Sequence, residues 1–84
     1  MEKGYNSDVV YRGLDFHIQT EDWGLQNPYI VSRVYQNGAV IKSVKTPYSE
    51  VLVRGSFLDR QAIRMALHEQ HDRILDLLVS GQLF

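Results

Sequence analysis

The chain has 84 residues, a formal net charge of −1 and no cysteine. That length fits one domain with a single thin core, and without cysteine there are no disulfides, thiolate metal sites or thiol nucleophiles. Nine basic residues are scattered among ten acidic ones, so no basic stripe faces a phosphate backbone and a nucleic-acid partner is disfavoured.

An apolar fraction of 44% is that of an ordinary globular domain rather than a disordered one. The start, Met-Glu-Lys-Gly-Tyr-Asn-Ser-Asp, has no apolar stretch for export. Near the C-terminus the longest purely apolar run is Leu77-Leu78-Val79, far too short to span a bilayer. A cytoplasmic protein with no membrane partner is expected.

The first seven residues are polar and are expected to fray. Strand character begins at Asp8. Leu14, Phe16, Ile18 and Thr20 alternate with Asp15, His17, Gln19 and Glu21, which marks a half-buried strand. Arg12-Gly13 suits the tight turn before it, because Gly13 tolerates positive φ. The clearest hairpin signal is Asn37-Gly38, the favoured pair for a type I′ turn, between Tyr29–Gln36 and Ala39–Thr46. Pro28 and Pro47 suit strand boundaries, since proline lacks a donor. Four strands on short links favour a meander in spatial order 1-2-3-4 over residues 8–46.

Residues 48–55 read equally as a turn of helix or as an extended piece. A helix is expected over residues 56–80, with Ser56 as its cap, Asp59 reaching back, and Gly81 as its left-handed end. Ile63, Ala66, Leu67, Ile74, Leu77 and Leu78 form its apolar stripe. The fold class is therefore α+β: a four-stranded antiparallel β-meander packed against one long C-terminal α-helix, in one domain.

Counting outward from Asn37-Gly38 pairs Tyr35 with Val40, Val34 with Ile41 and Val31 with Val44. One hairpin face then carries Ile30, Ser32, Val34, Ala39, Ile41 and Ser43. The other carries Tyr29, Val31, Arg33, Tyr35, Val40, Lys42 and Val44. Both faces are substantially apolar, yet one helix covers only one, whereas a sheet with a solvated face alternates more cleanly. The second set is the candidate interaction surface.

Catalytic and metal signals are weak. His68 and His71 are spaced by three, not in the four-residue spacing with interior Glu of the zincin helix. A zinc site needs further ligands, and only Asp72 and His17 offer themselves. His71 reads as a boundary residue against the sheet rim and His68 as a surface residue. Glu21 and Asp22 are adjacent on a strand, so they point to opposite faces. Trp23 is expected to fold back over the end of the core, the alternative being a binding hot spot. The nucleophile elbow, the P-loop and the dinucleotide glycine pattern are absent. No catalytic residue, metal or cofactor is expected.

The run Phe16-His17-Ile18-Gln19-Thr20-Glu21-Asp22, then Asn27-Pro28-Tyr29-Ile30-Val31, the Gly38 turn and Lys45-Thr46-Pro47-Tyr48-Ser49 resemble a family of small uncharacterised bacterial proteins, mainly deltaproteobacterial. The resemblance covers most of the chain, including Glu69-Gln70-His71. It implies no activity, but it marks Phe-His-Ile-Gln-Thr-Glu-Asp as a unit. The functional expectation is a small non-enzymatic protein-interaction module, self-associating through its sheet as a homodimer. The alternative is a small-ligand or metal-binding domain using His17, His71 and the Glu21–Trp23 loop.

Overall fold

The computed structural model describes residues 4–53 and 57–84. Four strands, β1 (Tyr5–Tyr11), β2 (Leu14–Asp22), β3 (Tyr29–Gln36) and β4 (Ala39–Pro47), form one antiparallel sheet in the order β1-β2-β3-β4. A single turn α1 (Tyr48–Val51) leads towards the long helix α2 (Arg60–Val79). The expected α+β meander-plus-helix architecture is the one observed. Among the described residues no helix is long and apolar enough to cross a membrane.

Both tight turns follow from local chemistry. Arg12 and Gly13 have φ of 52° and 76°, and Asn37 and Gly38 have 52° and 80°. Two successive positive φ values are what a type I′ turn demands, and its twist matches that of the flanking strands. β1 starts at Tyr5, so Tyr5–Ser7, expected to fray, instead pair with Ile18–Thr20 of β2. Of the rest of that expected frayed end, Gly4 precedes the strand and residues 1–3 lie outside the described residues.

The register of the second hairpin departs from the even count. Gln36 faces Ala39 and Tyr35 faces Val40, but Val34 faces Lys42, Ser32 faces Val44 and Val31 faces Lys45. Ile41 is the extra residue, a β-bulge. A shift of one residue moves every later side chain to the opposite face. The pairings of Val34 with Ile41 and of Val31 with Val44 are thereby corrected.

The helix begins later than expected. Asp59 is its N-cap, accepting from the backbone N–H of Gln61 at 3.0 Å and of Ala62 at 3.3 Å. It thus satisfies two of the donors that a helix start leaves without partners. Ser56, the expected cap, lies outside the described residues. At the far end Gly81, at φ 75°, donates to the Leu78 carbonyl and Gln82 to that of Leu77. That double bond is the Schellman arrangement.

Helix α2 packs across β1, β2 and β3, and β4 stays exposed along most of its length. The core under the helix is divided. One cluster joins Phe16, Ile18 and Val34 to Ile74, Leu78 and Leu83. The other joins Ile30, Tyr48 and Leu52 to Ile63, Ala66 and Leu67. Between the two sets of helix residues come Gln70 and His71, both buried. Leu77, expected in the stripe, is only half-buried beside the first cluster.

Candidate interaction face

Two polar assemblies lie on the helix side of the sheet, and both are bonded within the fold. His71 is 3% exposed, not a rim residue. Its Nδ1 is 2.8 Å from Thr20 Oγ1 and its Nε2 is 2.7 Å from Ser7 Oγ. Thr20 Oγ1 lies 2.7 Å from Ser32 Oγ, which accepts from Gln70 Nε2 at 2.9 Å. Gln70 Nε2 also approaches the carbonyls of Ile30 and Val44. Burial lowers the His71 pKa below its ordinary value, because the imidazolium is the costlier form to desolvate. With both ring nitrogens engaged, this histidine is a structural fastener of helix to sheet.

The second assembly is Asp22, buried, which accepts from the Tyr48 hydroxyl and from the Gly24 N–H at 2.9 Å. Burial, and then the hydrogen bond to Asp22, raise the Tyr48 pKa well above the phenol range. Glu21 points the other way and lies 3.5 Å from Arg33. The adjacent carboxylates therefore do not converge. His68 lies 3.3 Å from Asp72 on the exposed side of α2. His17 belongs to the opposite face of the sheet from His71, so these two cannot share a ligand. Among the described residues no group of three or more histidines and carboxylates is arranged to hold a metal ion.

The face away from the helix is a different surface. Antiparallel partners share a side, so its rows can be read from the register. Asp8, His17, Tyr35 and Val40 make one row. Asn6, Gln19, Arg33 and Ser43 make the next, and Glu21, Val31 and Lys45 the third. Tyr29 lies beyond them. Of the seven candidate residues, Tyr29, Val31, Arg33, Tyr35 and Val40 are therefore together. The bulge removes Lys42 and Val44 to the helix side, where Val44 packs beside the first core cluster. Arg33 thus does not oppose Lys42; it faces Ser43.

The two ends of this face differ in relief and charge. At the end near Tyr29, the Trp23 ring lies 5.6 Å from the Arg33 guanidinium and 5.1 Å from the Lys45 ammonium. Lys45 is also 4.2 Å from the Tyr29 ring. These contacts are attractive because a cation meets the negative face of each ring. Arg33 and Lys45 flank Val31, which is only 3% exposed although no helix covers it. Trp23 therefore caps this outer face, not the end of the core. At the other end the sheet forms an open concavity of about 640 Å³. Val10, Asp15, His17 and Tyr35 line it, with Asp8 2.9 Å from His17 Nδ1.

Reading along the sequence missed Lys45 as a member of the face, because the bulge is invisible in a count from the turn. Trp23 could have been found: it continues the outward alternation of Gln19 and Glu21. No protein-family model matches the chain, and comparison with curated proteins and with solved structures finds no significant match. The reading of this face therefore rests on its own geometry.

Proposed function

We propose that this chain is a non-enzymatic protein-interaction module, working in the cytoplasm, that binds through the helix-free face of its sheet. One observation carries the reading. The helix seals only one side of the sheet, and on the other Tyr35 sits beside Val40, which is 49% exposed, with Val10, 69% exposed, beyond His17 and Asp15. Large exposed apolar and aromatic side chains gathered on one uncovered face mark an interface more often than scattered ones do. Trp23, Tyr29, Tyr35 and Arg33 are the side chains that interfaces favour, since each buries much area and keeps a polar end. The groups best suited to chemistry, His71 and Asp22, are held by hydrogen bonds within the core. A second reading, a small-molecule site, is supported by the concavity beside His17 alone.

The test compares the native mass of the chain in cell extract and after purification. Wild type is expected above its 9.7 kDa monomer mass in at least one of the two. Tyr35→Glu with Val40→Lys should run as a folded monomer in both, with an unchanged thermal midpoint. A wild type that is monomeric in both settings overturns the reading. A complex that survives the double substitution moves the interface to another surface.

A further inference from the structure

We infer that the occupant of the helix-free face is a second copy of this chain, docked face to face so that the Trp23–Lys45 corner of each copy enters the concavity of the other. This rests on the interaction reading above and names its partner.

Charge supplies the first argument. Asp8 and Asp15 lie on β1 and β2 at the end carrying both tight turns. Lys45 and Arg33 lie on β4 and β3, with Lys45 towards the opposite end. Arg33 lies 3.5 Å from Glu21 on this same face, so Lys45 is the cation that gives its corner its charge, and the Asp8–Asp15 and Lys45 corners lie at opposite ends of one diagonal. A two-fold axis lying between two such faces, across that diagonal, sets each acidic corner on the partner's basic one. An isologous interface needs this self-complementarity, because the same patch serves both sides. Arg12, the cation nearest the acidic corner in sequence, lies against Tyr11, whose partner position places it on the helix side. It does not neutralise Asp8 and Asp15 on this face.

Shape supplies the second. At the basic corner the indole of Trp23 lies 5.6 Å from the Arg33 guanidinium and 5.1 Å from the Lys45 ammonium. The acidic corner is hollow, and its concavity is wide enough for an indole ring with a flanking cation. Val10, His17 and Tyr35 give it an aromatic and aliphatic lining, to which Asp8 and Asp15 add carboxylates. A Trp23–Lys45 corner and a concavity at opposite ends of one face meet twice about a two-fold axis.

One alternative fits less well. Edge-to-edge pairing through β4 is opposed by the bulge at Ile41 and by Lys42 and Lys45, devices that keep edge strands from adding a neighbour. The face itself, four strands about 4.8 Å apart and some eight residues long at about 3.3 Å each, covers roughly 500 Å² before side-chain relief. That suits a modest, reversible dimer and falls short of an obligate one.

The experiment is sedimentation equilibrium of the purified chain up to several hundred micromolar. Wild type is expected to form a dimer whose dissociation constant rises at least tenfold between about 50 and 500 mM salt, since the corner pairs are screened. Asp15→Lys and Lys45→Glu should each weaken self-association at least tenfold, and their equimolar mixture should form a one-to-one dimer. A purified wild type that is monomeric throughout, yet still large in extract, overturns this inference and leaves the interaction reading standing. A mixture that fails to restore the dimer shows that the two corners do not meet. Should either variant lose its thermal transition, the salt titration of wild type decides: a dimer indifferent to salt overturns the proposal.

Discussion

His71 is sensitive to acid because its neutral form is built into the contact between α2 and the sheet. Neutral imidazole has one donor and one acceptor, and the two hydroxyls beside it, Ser7 and Thr20, can each play either part. Its pKa is lowered in the folded state by burial. The stabilisation is therefore fully present above the unfolded value of about 6.5 and is lost as pH falls below it towards the folded value. Urea midpoints of wild type should fall between pH 7 and 5. His71→Asn should be less stable at pH 7 and show a flatter dependence over the same interval. Equal slopes in the two proteins would show that His71 does not drive the acid response. Backbone conformation sets the other sensitive residues. At Gly38 nothing lies within 4 Å of an added Cβ, so Gly38→Val would strain only the backbone at φ 80°. It should cost about 1–3 kcal/mol in a denaturant titration. An unmoved midpoint would mean that the turn tolerates another geometry.

Helix α2 shows how much a single element's periodicity conveys. Leu67 is fully buried and Met65 is 58% exposed, as the spacing of the stripe requires. Leu67→Ala should lower stability by about 2–5 kcal/mol and Met65→Ala by less than about 1 kcal/mol. Equal losses would place a partner on the outer side of the helix. The meander, its turns and the helix were legible because each is written in local chemistry: alternation, Asn-Gly, and the 3.6-residue stripe. The polar belt was not. His71 and Gln70 find their partners on β2 and β3, 51 and 38 residues away, and a helical wheel cannot see a hydroxyl waiting on a distant strand. The face was half legible. Alternation on β2 and β3 put His17, Tyr35, Arg33 and Val31 on the correct side, but the bulge in β4 exchanged Lys42 and Val44 for Lys45. Deleting Ile41 should remove the bulge while leaving every other side chain of β4 on its present face. The shortened chain should fold with a cooperative transition and scatter more light on standing, because a regular edge accepts new strands more readily. An unfolded product would show that the bulge is needed to close the sheet.

The whole molecule is thin, 43 × 22 × 17 Å with a radius of gyration of 13.2 Å, against about 12 Å for a compact chain of this length. One helix on one sheet encloses only the layer between them, and that layer is interrupted by Gln70 and His71. A fold so short of core commonly relies on disulfides, a metal or a partner chain. Cysteine is absent, so metal and partner remain to be weighed. A metal at His71 would displace the Ser7 or the Thr20 hydrogen bond inside the core, and among the described residues no group of three or more ligands is gathered there to hold it. His68 is already beside Asp72, which offers a weak two-ligand surface contact at most. Purified protein should therefore contain no stoichiometric zinc, and chelator should leave its thermal midpoint unmoved. A metal bound one hundredfold more tightly than its free concentration would add about 2.7 kcal/mol and raise that midpoint visibly. If protein concentration shifts the midpoint and zinc does not, stability is linked to association, which assigns the missing core to a partner chain. A chelator-sensitive midpoint with one metal per chain would assign it to a metal site instead, with His68 and Asp72 as the first residues to substitute.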